Sequence, residues 1–176
     1  SGNDATIALA EAVAGSEEGF VAMMNQQAAE LGLKNTHYMN STGLPDHNHY
    51  SSARDIAILS TALIRDFPEY YKIYSIKEFQ YNLPKPQYNR NRLLWIDPNV
   101  DGIKTGHTES AGYCLAASAK INNRRLISVV LGTGSEQMRA QESLKLLNFG
   151  FRQYEDILLY KKGDPVERLP IYKGTL

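Results

Sequence analysis

The apolar positions of the first half of the chain recur at helical spacing. Behind Asn3 and Asp4, which can cap a helix N-terminus, Ala5, Leu9, Ala12 and Val13 share one helical face. Gly15 and Ser16 break this helix and restart it. In the restarted segment Glu17 and Glu18 sit where the positive end of the helix dipole favours them, and Phe20, Met24, Ala28 and Leu31 form a stripe that stops at Gly32. Met23 and Met24 read as core side chains rather than cofactor ligands. A third helix opens on the capping pair Ser52 and Asp55, runs through Ile56, Leu59 and Leu63, and is ended by Pro68, with Tyr70, Tyr71 and Tyr74 as an aromatic patch beyond it. Residues 40–50, between the second and third helices, are rich in Gly, Pro, Asn, Asp and Ser, the composition of a long polar loop of the kind that often borders a site.

The pattern then changes. Segments 78–81 and 88–95 flank Pro84 and Pro86 and suit a hairpin or extended excursion. Strands are expected at 103–108, 112–120 and 125–132, the last two joined by a turn at Asn122 and Asn123, giving three consecutive antiparallel strands. Residues 137–151 return to helix, with Ala140, Leu144 and Leu147 on one face, and the tail from Asp156 reads as strand-prone around a Lys-Lys-Gly-Asp turn. The expected division is 1–154, the larger part of an α/β (α+β) domain with a helical region packed on an antiparallel sheet, and 155–176, the start of a second, β-rich domain.

Composition adds exclusions. With 176 residues, 43% hydrophobic and 22% charged, the chain can bury an ordinary globular core. Nineteen Lys and Arg balance nineteen Asp and Glu, so no basic field points to nucleic acid or an anionic membrane surface, and a small or neutral partner is expected. No apolar run approaches the roughly 20 residues of a membrane span. The single Cys114 lies in an apolar run and reads as a packed strand residue. His37, His47 and His49, with Asp46, lie in the polar loop without helical spacing, so neither a metal site nor a cofactor is expected.

Two short motifs bear on chemistry: Ser1-Gly2-Asn3 at a helix start and Lys104-Thr105-Gly106 on an expected strand. Singly each is weak, because Ser and Asn cap helices and a tripeptide recurs by chance. In this order, 103 positions apart, with helices between them and strand, strand, helix after, they resemble the penicillin-binding protein and serine β-lactamase superfamily. The run 101–113, Asp-Gly-Ile-Lys-Thr-Gly-His-Thr-Glu-Ser-Ala-Gly-Tyr, together with 33–36, 42–44 and 50–56, looks like the low-molecular-mass D-alanyl-D-alanine carboxypeptidases, and the resemblance extends from Ser1 to about Tyr154.

That resemblance implies a serine peptidase that removes the terminal D-Ala from peptidoglycan stem peptides through an acyl-enzyme, is acylated by β-lactam antibiotics, and works in the bacterial envelope, periplasmic or on the outer face of the inner membrane. The family's nucleophile belongs to a Ser-x-x-Lys motif upstream of Ser-x-Asn, and no such motif occurs here. This chain alone is therefore expected to be inactive, with the nucleophile on a longer parent chain or on a companion polypeptide. By resemblance, Ser1 relays protons to the leaving group and Asn3 donates its amide to a substrate carbonyl. Lys104 favours the anionic intermediate, Thr105 offers its hydroxyl to the substrate carboxylate, Gly106 allows close backbone approach, and the backbone N–H of His107 is an oxyanion donor. Arg139 matches the family's carboxylate-binding position and Arg90 a site-border arginine, in keeping with bidentate Arg–carboxylate pairing.

Two rivals remain at this level. A class A β-lactamase deacylates through a Glu-x-x-Leu-Asn loop; the only similar string here, Glu-Phe-Gln-Tyr-Asn at 78–82, has Tyr for Leu, and Gly2 departs from the usual Ser-Asp-Asn. A non-catalytic peptidoglycan-binding relative would keep the cleft without the nucleophile.

Overall fold

The structure, a computed structural model, describes residues 2–82, 84–167 and 172. Its helix boundaries follow from capping chemistry. The first helix, α1, Asn3–Ala14, has Gly2 at its N-cap and no side-chain cap, so Asn3 and Asp4 stand inside the first turn rather than capping it. It stops at Gly15, whose φ of 79° is open to glycine without the Cβ penalty. The Ser16 hydroxyl accepts the Gly19 N–H at 3.0 Å and starts α2, Glu17–Glu30. Ser52 does the same for Asp55 at 3.2 Å and starts α3, Ala53–Asp66.

Asp55 has a second task. It is 2% exposed, and its carboxylate accepts the Asn35 N–H at 2.7 Å and the Thr36 hydroxyl at 2.8 Å, fastening the long loop to the helix. Burial pushes its pKa up, but these hydrogen bonds, that of Ser52 and the charge of Arg54 outweigh burial and leave it below the usual carboxylate value. Pro68 ends α3 as expected and opens a single helical turn, α4, Pro68–Tyr71, continued by a 3-10 turn, Lys72–Ser75.

The excursion that follows is a minimal hairpin of β1, Glu78–Phe79, and β2, Gln87–Tyr88. The expected strand over 88–95 does not form beyond Tyr88: Leu93–Ile96 is a helical turn, α5. Leu93 and Leu94 are both buried, and two consecutive residues cannot share one face of a strand.

The main sheet is β3, Val100–Thr108, β4, Gly112–Ile121, and β5, Arg124–Thr133, antiparallel and in that spatial order. The central strand β4 is buried on both faces. Leu115, Ala117 and Ala119 pack with Leu93, Leu94, Val100, Ala140 and Leu147, beneath α6, Glu136–Gln153. Ala116 packs on the other side with Tyr71 and Ile103, against Ile56, Leu63 and Ile64 of the α3 side. Helices thus cover both faces of the sheet, because alternating positions of β4 are apolar or small on either side. Each fully buried leucine here contributes on the order of 1.5 to 3 kcal/mol.

No strand forms in the described tail 154–167, which holds only the turn closed by the Lys161 N–H on Asp164 Oδ2 at 2.8 Å. Among the described residues, the strand-prone tail pairs with neither outer strand of the sheet. Met23 differs from expectation too. It is 49% exposed and lines an apolar groove between α2 and α3 with Phe20, Met24, Leu59 and Leu63.

Candidate active site

Among the described residues β3 pairs with β4 alone, which leaves its other edge without a partner strand. A cleft of about 1020 Å³ runs along it, lined by Lys104 and Thr105 of β3, Arg90, Gly2 at the start of α1, and the hairpin, including Glu78 and Tyr88. Residues a hundred positions apart in sequence therefore border one cavity. Register places Lys104 opposite Ala116, Thr105 opposite Leu115 and Gly106 opposite Cys114. Cys114 itself is half-buried, its thiol directed at the Ala111 carbonyl.

Two packed anchors fix β3 before it reaches the cleft. The Asp101 carboxylate takes a bidentate pair from Arg125 at 2.7 and 2.7 Å and the Tyr71 hydroxyl at 2.7 Å, while Arg125 also reaches Ser118 Oγ at 2.6 Å. Burial and the Asp101 charge push the Tyr71 phenol well above its usual value, keeping it a neutral donor. Gly102 comes next, and a Cβ there would meet the Tyr71 hydroxyl at 2.5 Å, so only glycine lets the ring lie so close. The sequence showed none of this network, in which the partners of Asp101 lie 24 and 30 positions away from it.

The ammonium of Lys104 donates to the Thr105 carbonyl at 2.5 Å. Partial burial pushes its pKa down, and the positive charges of Arg90 and Arg139 push it the same way. Those effects make it easier to deprotonate than a fully solvated lysine. Thr105 is buried at 8% exposure.

Gly106, His107 and Arg139 form a second group further along β3. Arg139 is 3% exposed; it donates to the Gly106 carbonyl at 3.2 Å and to Glu136 Oε1 at 3.3 Å. Its guanidinium lies 5.5 Å from the Tyr113 ring centroid, and Tyr113 stacks on the His107 imidazole at 4.0 Å. The structure thus gathers Arg90, Lys104 and Thr105 with Gly2, and ties Arg139 to the backbone of the Lys-Thr-Gly run. Asn3 is exposed beside Gly2, and Ser1 lies outside the described residues. In the polar loop, His37 Nδ1 bonds the Asn48 carbonyl at 2.8 Å and His49 Nδ1 accepts the Met39 N–H at 3.3 Å, so both imidazoles serve the loop.

A sequence profile described as D-alanyl-D-alanine carboxypeptidase matches residues 1–135. The D-alanyl-D-alanine carboxypeptidase DacA of Haemophilus influenzae is 51% identical over 176 residues, covering 99% of this chain and 44% of that protein. Penicillin binding protein 5 of Haemophilus influenzae superposes with a TM-score of 0.83 and 55% identity, over 86% of this chain and 44% of that one. Penicillin-binding protein D2 of Listeria monocytogenes, in its ampicillin-bound form, superposes with a TM-score of 0.77 and 32% identity, over 85% of this chain and 62% of that one. Helices on an antiparallel sheet, with a Lys-Thr-Gly edge strand, are here the fold of the penicillin-binding proteins. Within that class, the chain belongs to the D-alanyl-D-alanine carboxypeptidase family. It spans less than half the length of the curated relative that it matches.

Proposed function

We propose that this chain is the part of a serine-type D-alanyl-D-alanine carboxypeptidase that binds the peptide terminus and stabilises the reacting carbonyl. The observation that supports this most is the cleft along β3, where Lys104, Thr105 and Arg90 meet Gly2 of the Ser-Gly-Asn segment. A serine hydroxyl from a Ser-x-x-Lys motif attacks the carbonyl carbon of the penultimate D-Ala as a base in that same region takes its proton. The tetrahedral oxyanion is held by the His107 backbone N–H and a second donor. As the C–N bond breaks, Ser1 passes a proton to the departing amine of D-Ala, and water later cleaves the acyl ester. Asn3 orients the peptide, and Thr105 and Arg139 hold the free carboxylate that distinguishes a carboxypeptidase substrate.

In DacA of Haemophilus influenzae the matching segment, 51% identical, is 44% of one longer polypeptide, so a separate companion chain carrying the nucleophile finds no support. We place the nucleophile on the same polypeptide, outside the present chain, and assign residues 155–176 to the opening of a further module. The substrate is a peptidoglycan stem peptide, β-lactams compete for the cleft, and the setting is the bacterial envelope. Among the described residues, no helix is long and apolar enough to cross a membrane. Neither the β-lactamase nor the non-catalytic reading is favoured by the family match.

The test is release of D-Ala, measured by the full gene product, from an acylated peptide ending in D-Ala-D-Ala. Release that needs the free C-terminal carboxylate supports the proposal. Cleavage of internal bonds with equal ease, or rapid turnover of penicillin with no D-Ala release, contradicts it.

A further inference from the structure

Arg90 sits between two asparagines that both bond into the surrounding fold. The Nδ2 of Asn89 donates to the carbonyls of Tyr74 at 3.3 Å and Ile76 at 3.1 Å, while its Oδ1 accepts the Asn91 N–H at 2.9 Å. Its backbone N–H donates to the Lys77 carbonyl at 2.7 Å. Asn91 is 1% exposed; its Nδ2 donates to the Gly102 carbonyl at 2.9 Å and its Oδ1 accepts the Leu93 N–H at 3.2 Å. Each amide thus uses both its donor and its acceptor, which neither a carboxylate nor an aliphatic side chain could do.

These bonds join two elements that border the cleft. Asn89 ties the segment to the turn that leads into the hairpin, and Asn91 ties it to β3 two residues before Lys104. Gly102 is itself pinned by the Tyr71 ring. Between these ties, Arg90 lines the same cleft as Lys104 and Thr105, and its positive charge helps to push the lysine's pKa down.

We infer that Asn89 and Asn91 are positioning residues that hold Arg90 on the wall of the cleft that Lys104 and Thr105 line, where its charge faces the bound ligand. Under the proposed function, on which this assignment of the ligand rests, that charge adds to the hold of Thr105 and Arg139 on the free carboxylate of the peptide. The other charged groups that act on the lysine or line its cleft, Arg139 and Glu78, are left in place by every variant that tests the idea.

The experiment follows the Lys104 side-chain resonance through a pH titration by NMR in the full gene product, in the wild type and in Asn89→Ala, Arg90→Ala and the double variant. If Asn89 positions Arg90, Asn89→Ala raises the Lys104 pKa as Arg90→Ala does, and the double variant rises no further. Selectivity for a peptide ending in a free carboxylate over its C-terminal amide falls about 10-fold in each, the size of one hydrogen bond to a charged group. Asn91→Ala serves as a second variant with the same expected direction; the half-buried Asn89 leads because losing the Asn91 side chain also leaves a cavity in the core. An unchanged Lys104 titration in Asn89→Ala, or a full further shift when it is added to Arg90→Ala, overturns the inference. Should the wild type cleave neither peptide, the proposed function fails, while the titration still decides whether the asparagines position Arg90.

Discussion

Arg139 and Lys104 serve neighbouring residues of β3 under opposite conditions. Arg139 is 3% exposed, bonded to Gly106 and Glu136 and stacked over Tyr113, so its charge is part of the packing. Lys104 reaches into the open cleft with Arg90, and its surroundings depress its pKa. A buried cation is costly unless it is paired and bonded, whereas one at a cleft edge can be tuned without endangering the fold. The comparison separates the residues whose loss is felt in stability from those whose loss is felt only in rate.

The sharpest way to break that separation is Lys104→Ala in the full gene product. Its kcat/KM on a D-Ala-D-Ala peptide is expected to fall about a thousandfold, or ~4 kcal/mol, with a melting temperature close to wild type. A melting temperature lowered in proportion to activity would make the lysine structural. Next in size is Arg139→Ala, expected to cost about 2 to 4 kcal/mol and to harm substrates with a free carboxylate more than blocked analogues. Equal loss on both would remove Arg139 from carboxylate binding. Smaller still is Asp101→Asn, which weakens the bidentate pair with Arg125; denaturant unfolding should show a loss of about 1 to 2 kcal/mol, with substrate selectivity unchanged.

The smallest effect concerns pH and lies far from the cleft. A carboxylate held below its ordinary pKa contributes stability that is full above that ordinary value and is lost as the pH falls through the lowered one. The urea midpoint of wild type should therefore approach that of Asp55→Asn as the pH drops below about 4, and exceed it near neutrality. A gap between the two that stayed constant with pH would mean that the Asp55 charge does not hold the loop to α3.

Much of this framework was legible in the sequence because its cues are local. Ser16, Ser52 and Gly15 mark helix ends by their own chemistry, and the runs flanking Asn122 carry strand periodicity and turn residues within ten positions. The Lys-Thr-Gly run was found because motif order and spacing survive in one dimension. What was not legible depends on distant partners. Nothing near Asp101 announces Arg125 or Tyr71, and the asparagines at 89 and 91 look like ordinary loop residues until Gly102 and Tyr74 are beside them. Leu93 and Leu94 suited a strand by composition, yet the core takes both on one side. Asn3 had the chemistry of a cap, but Gly2 holds the cap position.

The central claim is that this chain supplies the carbonyl-stabilising and carboxylate-binding side of an acylating serine peptidase. Its most direct test is to label the full gene product with a penicillin, digest it and locate the adduct by mass spectrometry, with and without a competing D-Ala-D-Ala peptide. The adduct is expected on a serine of a Ser-x-x-Lys motif outside residues 1–176, at a yield reduced by the peptide and strongly reduced by Lys104→Ala. A penicilloyl adduct on any residue from Ser1 to Leu176, or labelling indifferent to both the peptide and Lys104, would contradict it.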